Sequence, residues 1–225
     1  MRHMRLTVES VRAAGWPAVF AMAYEEFWTI LRTPPVARLL EGVLGTGYQM
    51  LPHMWCHYVT PSAGAHGWLP HVDGFHKTRV SLWIPFSDAT LDNGCIYLVP
   101  QSRMPDQFGR AFLRRKRYSH QEASAILQNM RALPAGAGSV LGWNFGVVHW
   151  GTVASNAREP RVSAAYEFIA PGVKAEPVEL PLLNISERIP SFDERLQMIG
   201  RALIAYSKFE PRMARYEKLA AELCG

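Results

Sequence analysis

The sequence holds little that would staple, anchor or extend a chain. Three cysteines, Cys56, Cys95 and Cys224, occur among 225 residues. The number is odd and no two form a CxxC pair, which excludes a disulfide framework and fits a reduced, cytoplasmic setting. No stretch approaches the run of about 20 apolar residues that a membrane span needs. The amino terminus, Met1-Arg2-His3-Met4-Arg5, is basic but leads into no apolar signal core. Internal repeats and low-complexity tracts are also lacking, which sets aside solenoids and biased tails. These absences predict a cytoplasmic protein with no membrane partner.

An excess of one charge is likewise modest, at +5 overall. The densest basic run is Arg114-Arg115-Lys116-Arg117, followed by Tyr118. Nucleic-acid binding calls for such residues interleaved with stacking aromatics or carried on a recognisable module. Neither is present, so the run reads as a solvated face and no nucleic-acid partner is expected. Attraction of an anionic substrate is the alternative use for it.

What the chain does have is 48% hydrophobic residues over 225 positions, enough for one sizeable core and a single domain spanning 1–225. Its pattern runs helix, strand, helix. Helices are expected over 1–48, with apolar residues at three- and four-residue spacing through 21–44 and a break at Thr33-Pro34-Pro35. Short strands punctuated by turns fill 49–170. Val80, Leu82, Ile84 and Phe86 alternate with Arg79, Ser81 and Trp83 on the other face. Asp92-Asn93-Gly94 reads as a hairpin turn with 95–99 as the return strand, and 140–150 and 161–169 as further strands. The extension 171–225 turns helical after a Ser191/Glu194 capping box and again after Pro211. These helices are expected on the outside of the sheet and offer a possible homodimer surface. The fold class is therefore mainly β with flanking helices, an antiparallel sandwich or barrel.

The strongest local signal is His71-Val72-Asp73. Positions two apart on a strand share a face, so one imidazole and one carboxylate could grip the same ion. A lone HxD triplet is weak until a third ligand joins it. His149 closes an apolar and aromatic strand, where a histidine otherwise has to be a satisfied core residue. Arg161 and Ser163 share a face of the next strand, and a guanidinium beside a hydroxyl suits bidentate capture of a carboxylate. Arg158 is a rival for that role.

In this order, His71-x-Asp73, the segment 78–90 (TRVSLWIPFSDAT), the segment 93–102 (NGCIYLVPQS), His149 and Arg161-x-Ser163 resemble the phytanoyl-CoA dioxygenase family over 50–169. The resemblance implies a double-stranded β-helix, or jelly roll. His71, Asp73 and His149 would hold Fe(II), leaving adjacent positions for 2-oxoglutarate and O2. Arg161, supported by Ser163, would hold the distal carboxylate of 2-oxoglutarate, with Trp83 near that pocket. The activity implied is hydroxylation or desaturation of a small-molecule metabolite, with release of succinate and CO2. Halogenating relatives have a small residue in place of the carboxylate, so Asp73 argues against that outcome. One departure is Trp150-Gly151 after His149, where many relatives have glycine directly.

Other residues have weaker readings. His57 could touch substrate or co-substrate; His53 and His57 as a metal pair are disfavoured by their strand spacing. Trp55, Trp68, Phe75 and Trp143 could frame an aromatic substrate pocket, although large aromatics more often serve cores. His66 and His76 read as loop residues near an entrance. Two alternatives stay open: a jelly-roll metal or small-molecule binding protein without turnover, and a cupin-like metal enzyme that does not use 2-oxoglutarate.

Overall fold

A computed structural model describes residues 1–104 and 119–225, so the basic run at 114–118 lies outside the described residues. The helices are α1 (Arg2–Ala13), α2 (Glu26–Thr29), α3 (Pro34–Leu44), α4 (His120–Asn129), α5 (Phe192–Tyr206) and α6 (Glu217–Cys224). The strands are β1 (Gln49–Val59), β2 (Arg79–Pro85), β3 (Ile96–Val99), β4 (Arg131–Leu133), β5 (Leu141–Asn144), β6 (Val148–Gly151) and β7 (Arg161–Ile169). They form a four-stranded sheet in the order β1-β7-β2-β5 and a three-stranded sheet in the order β4-β3-β6, every strand pairing antiparallel. This is the two-sheet core of a jelly roll with helices outside it.

Period-two alternation sorts the large sheet into two working faces. On β7, Val162, Ala164, Tyr166 and Phe168 enter the helix-covered core, together with Val80, Leu82 and Ile84 of β2. The intervening residues, Arg161, Ser163, Ala165 and Glu167 on β7 and Ser81 and Trp83 on β2, face the space between the sheets. The large core is closed by Phe27, Trp28 and Leu31 before α3 and by Ile199 and Leu203 of α5. Tyr166 donates its hydroxyl to the Phe27 carbonyl at 2.7 Å, tying β7 to that layer.

Several local features follow from chemistry already visible in the sequence. Pro34 occupies the first turn of α3, where its missing N–H costs nothing. Ser191 and Glu194 make the expected reciprocal cap of α5, the Ser191 hydroxyl accepting from the Glu194 amide at 3.3 Å. Pro52 lies at a register shift of β1, an edge strand whose open side is partly covered by Leu183 pairing with Met50.

Two expectations need correction. The segment 95–99 is not the hairpin partner of 79–85. Both edges of β2 are taken by β7 and β5, and β3 pairs instead with β4 and β6 in the other sheet. Asn93 fixes the crossing, accepting from the Thr90 amide at 2.7 Å and donating to the Asp88 carbonyl at 2.8 Å. Gly94 follows at φ +81, and a Cβ there would collide with the Thr152 carbonyl. The segment 140–150 is two strands in different sheets, because Asn144 Oδ1 accepts from the Gly146 amide at 3.1 Å and turns the chain. Its apolar Phe145 and Val147 disguised that turn. All seven residues of β2 are buried, Val80, Leu82 and Ile84 in the helix-covered core and Trp83 against Cys95 and Ile96 of the small-sheet side.

Candidate metal centre

His71-Val72-Asp73 lies in no regular strand, contrary to the expectation. His71 makes a single antiparallel bridge to His149 of β6, with reciprocal amide-to-carbonyl bonds of 3.1 and 3.0 Å. The amides of Asp73 and Gly74 both donate to the Phe145 carbonyl at 3.1 Å. The turn after β5 and the start of β6 thus clamp the loop on both sides of Val72. Two residues far apart in sequence become neighbours through backbone pairing.

The side chains converge on one point. The candidate ligand atoms of His71, Asp73 and His149 all lie within 4.8 Å of one another. Each histidine Nε2 is 3.6 Å from Asp73 Oδ1. His71 Nδ1 donates to the Leu69 carbonyl at 2.7 Å, and His149 Nδ1 to the Val147 carbonyl at 3.0 Å. A carbonyl only accepts, so these bonds place the protons on Nδ1 and turn both Nε2 lone pairs toward Asp73. Asp73 is held as firmly: its Oδ2 accepts from the Ser81 hydroxyl at 2.6 Å and from the Trp143 indole at 3.1 Å, leaving Oδ1 facing the imidazoles. Burial, with His149 alongside, pushes the pKa of His71 down to about 4, which keeps it neutral near pH 7, as metal ligation requires. Oriented outer partners of this kind are what metal ligands ordinarily have.

Arg161 opens β7 at 1% exposure, whereas Arg158 is exposed, so the rival anchor points away. Its Nη1 donates to Ser163 Oγ at 3.2 Å, and its guanidinium lies 5.6 Å from the Trp83 ring centroid. Arg161 Nε and Trp83 Nε1 are buried without a hydrogen-bond partner among the described residues. No carboxylate pairs with Arg161 among the described residues, and burial pushes its pKa down to about 10. Gly67 and Gly151 shape this cradle: a Cβ on either would fall 2.7 Å from Arg161 Nη2. The Trp150-Gly151 departure therefore places its glycine against the arginine.

A cavity of about 40 Å³ joins the cluster to the arginine, lined by His71, Asp73, His149, Arg161, Trp83 and His57. Burial and the Arg161 charge hold His57 well below its ordinary pKa. Outside it, a cavity of about 490 Å³ runs past Trp68, Phe75, Phe145 and Phe209. Trp68 packs on Trp55, His57, His71, Tyr206 and Phe209. Of the expected aromatic frame, Trp68 and Phe75 line the outer cavity, and Trp55, Trp68 and Trp143 line the inner one, Trp143 also donating to Asp73. His66 and His76 lie away from the cluster, the former bonded to the Gly67 carbonyl and the latter an exposed residue on the cavity rim.

Sequence reasoning overlooked several contributors. His53 is no metal ligand candidate here; its Nδ1 lies 3.0 Å from Glu167 Oε2. Glu167 and Ser81 carried a usable signal, being polar residues on the inward positions of otherwise apolar strands. Glu210, which accepts from the indoles of both Trp55 and Trp68 at 3.1 Å, carried none. Tyr206 and Phe209 sit at the end of a helix expected to be mere packing.

A jelly roll that brings two imidazoles and one carboxylate together, beside a buried arginine with no acidic partner among the described residues, defines a candidate mononuclear metal centre. A family model described as Phytanoyl-CoA dioxygenase (PhyH) matches residues 18–161, and the chain belongs to that family. The matched range contains all four of these residues. Among solved structures, the non-heme monooxygenase ThoJ in its apo form superposes with a TM-score of 0.61 at 15% identity, over 95% of this chain and 89% of that one. The non-heme alpha ketoglutarate dependent epimerase SnoN from nogalamycin biosynthesis gives a TM-score of 0.50 at 19% identity, over 68% and 66%. AviO1 from Streptomyces viridochromogenes Tue57 gives 0.48 at 21% identity, over 65% and 62%. The chain thus spans just under two thirds of the length of SnoN and of AviO1, and at these identities the likeness is one of fold. No curated protein sequence matches the chain. Among the described residues, no helix is long and apolar enough to cross a membrane.

Proposed function

We propose that this protein is a non-haem Fe(II)/2-oxoglutarate-dependent dioxygenase that hydroxylates or desaturates a small-molecule metabolite. The observation that carries the reading is the pairing of a three-ligand cluster with a buried arginine that has no acidic partner among the described residues. A buried guanidinium without a counter-ion is costly unless a ligand supplies one. The dicarboxylate 2-oxoglutarate does so.

His71, Asp73 and His149 would hold Fe(II), a donor set that suits this metal and leaves adjacent positions open. Bound there with 2-oxoglutarate, the iron supplies O2 activation coupled to decarboxylation, giving succinate and CO2. Arg161 binds the distal carboxylate, Ser163 orients the guanidinium, and Trp83 walls that side of the pocket. Ser81 and Trp143 restrain Asp73 so that a single oxygen faces the metal. Trp68, Phe75 and Phe209 exclude water from the approach and present the substrate carbon.

Anaerobic addition of Fe(II) and then 2-oxoglutarate should produce the visible charge-transfer absorption of the chelate. Exposure to O2 should then form succinate. Asp73→Ala should abolish both signals. A wild-type protein that binds neither iron nor 2-oxoglutarate sinks the proposal. One that binds both yet forms no succinate across a broad substrate panel supports the silent binding protein. A cupin-like enzyme would keep its activity in Arg161→Met.

A further inference from the structure

We propose that the outer cavity takes an organic cation, an ammonium group on an apolar body, anchored at Glu167; this rests on the reading of the site given above. Glu167 projects from β7 between the sheets and lines both the small cavity at the metal cluster and the outer one. Its carboxylate stands at the junction where a substrate passes toward the metal. One oxygen is engaged by His53 at 3.0 Å, whereas among the described residues the other has only the Tyr206 hydroxyl at 3.4 Å, a long contact that leaves acceptor capacity.

The surrounding chemistry favours positive charge. The outer cavity of about 490 Å³ presents the aromatic groups of Trp68, Phe75, Tyr206 and Phe209 close to that carboxylate. Ring faces attract cations, most strongly where water is excluded. The other acidic groups on the wall are Asp73, a metal-ligand candidate, Glu176, and Glu179, which is already paired with Arg79. The basic groups there are spent or peripheral: His53 is bound to Glu167, His71 is a metal-ligand candidate, Lys208 lies 5.0 Å from the Phe209 ring centroid, and His76 is exposed on the rim. Burial raises the pKa of Glu167 despite the His53 bond, a cost of holding the carboxylate charged that a ligand ammonium would offset. An anionic substrate would meet the Glu167 carboxylate at this point.

Calorimetry with protein loaded anaerobically with Fe(II) and 2-oxoglutarate tests this. The probes are 2-phenylethylamine, 2-phenylethanol and 3-phenylpropionate, which share a ring and differ in charge. The amine should bind roughly tenfold more tightly than the alcohol, and the carboxylate weakest of the three. Glu167→Gln should bring the amine to the level of the alcohol, with a melting curve taken to establish that it folds. Phe209→Leu, at a half-exposed position, should weaken the amine by about threefold and the alcohol less. Equal binding of the three probes, preference for the carboxylate, or an amine preference that survives Glu167→Gln overturns the proposal. Wild-type binding of iron and 2-oxoglutarate, measured first, separates that failure from failure of the underlying reading. If Glu167→Gln does not fold, the wild-type charge series and Phe209→Leu still decide.

Discussion

Two arginines lie at opposite ends of the large sheet's inner face, each 1% exposed, and they are treated in opposite ways. Arg79, which opens β2, is met by Glu179 with two bonds of 2.5 Å, from Nε to Oε1 and from Nη2 to Oε2. Burial alone would raise the Glu179 carboxyl, but the Arg79 bonds outweigh it and hold the pKa below its ordinary value. Arg161, which opens β7, has a hydroxyl, an indole face and two glycines around it, and an Nε with no partner among the described residues. A buried charge that is internally neutralised builds the fold. One surrounded by shape but without a counter-charge among the described residues fits the co-substrate role proposed for Arg161.

The comparison is broken most directly by removing the counter-ion that is present. Glu179→Ala leaves Arg79 buried and uncompensated, and should cost about 3–5 kcal/mol of stability, read as a fall in the urea midpoint. The pH dependence has a definite sign. Because the folded pKa of Glu179 lies below its unfolded value, its contribution is present above the unfolded pKa and is lost as pH falls through the folded one. A midpoint unmoved by Glu179→Ala would show that the internal pair does not carry the fold.

The reciprocal change should act on binding and spare the fold. Arg161→Met removes a desolvated charge that has no acidic partner among the described residues, so stability should hold or rise. Affinity for 2-oxoglutarate should fall roughly a hundredfold, near 3 kcal/mol. If Arg161→Met unfolds the protein as Glu179→Ala does, the two arginines are both structural and the distinction collapses.

A smaller effect is expected one layer out, where Ser81 holds Asp73 Oδ2 at 2.6 Å. Ser81→Ala frees the carboxylate to rotate without removing any ligand. Iron affinity should fall by about tenfold, the usual size for an outer hydrogen-bond partner. A competitive chelator titration measures it. Unchanged affinity would mean that the Trp143 indole alone suffices.

How far such a division could be read beforehand depends on whether the cue was local. Arg161 and Ser163 share a face by simple alternation, and the inward side of β7 could be written down from the sequence. His71-x-Asp73 stood out as a pair, yet the reason given, strand geometry, was not the one the fold uses; a bridge to His149 and the Phe145 carbonyl do the work. The crossing at Asp92-Asn93-Gly94 looked like a hairpin because turn chemistry says where a chain bends and not which edge is vacant. Glu179 as the partner of Arg79 is separated from it by 100 positions and lies in a short 3-10 turn, where no periodicity points back to β2. Glu210 beneath the two indoles is equally silent. Pairings closed by the tertiary fold leave no trace in spacing.

A third arginine shows what solvent does to the same chemistry. Arg188 makes two bonds of 2.5 Å to Glu194, bidentate like the Arg79 pair though through Nη1 and Nη2, but with 60% of its side chain exposed. Those bonds, with the Ser191 amide, hold the Glu194 pKa down to about 2. Water and salt screen an exposed pair, so most of what Glu194 contributes should come through its place in the cap of α5. Glu194→Gln keeps a side chain able to accept from the Ser191 amide while removing the charge, and should cost well under 1 kcal/mol at neutral pH, whereas Ser191→Ala should cost about 1 kcal/mol. The charge-dependent part is present above pH 4.5, the ordinary value, and fades as pH falls toward about 2, so the wild type and Glu194→Gln should converge in acid. Thermal melts of both across that window test it. A gap at neutral pH as large as that of Glu179→Ala would mean that burial is not what separates the arginines.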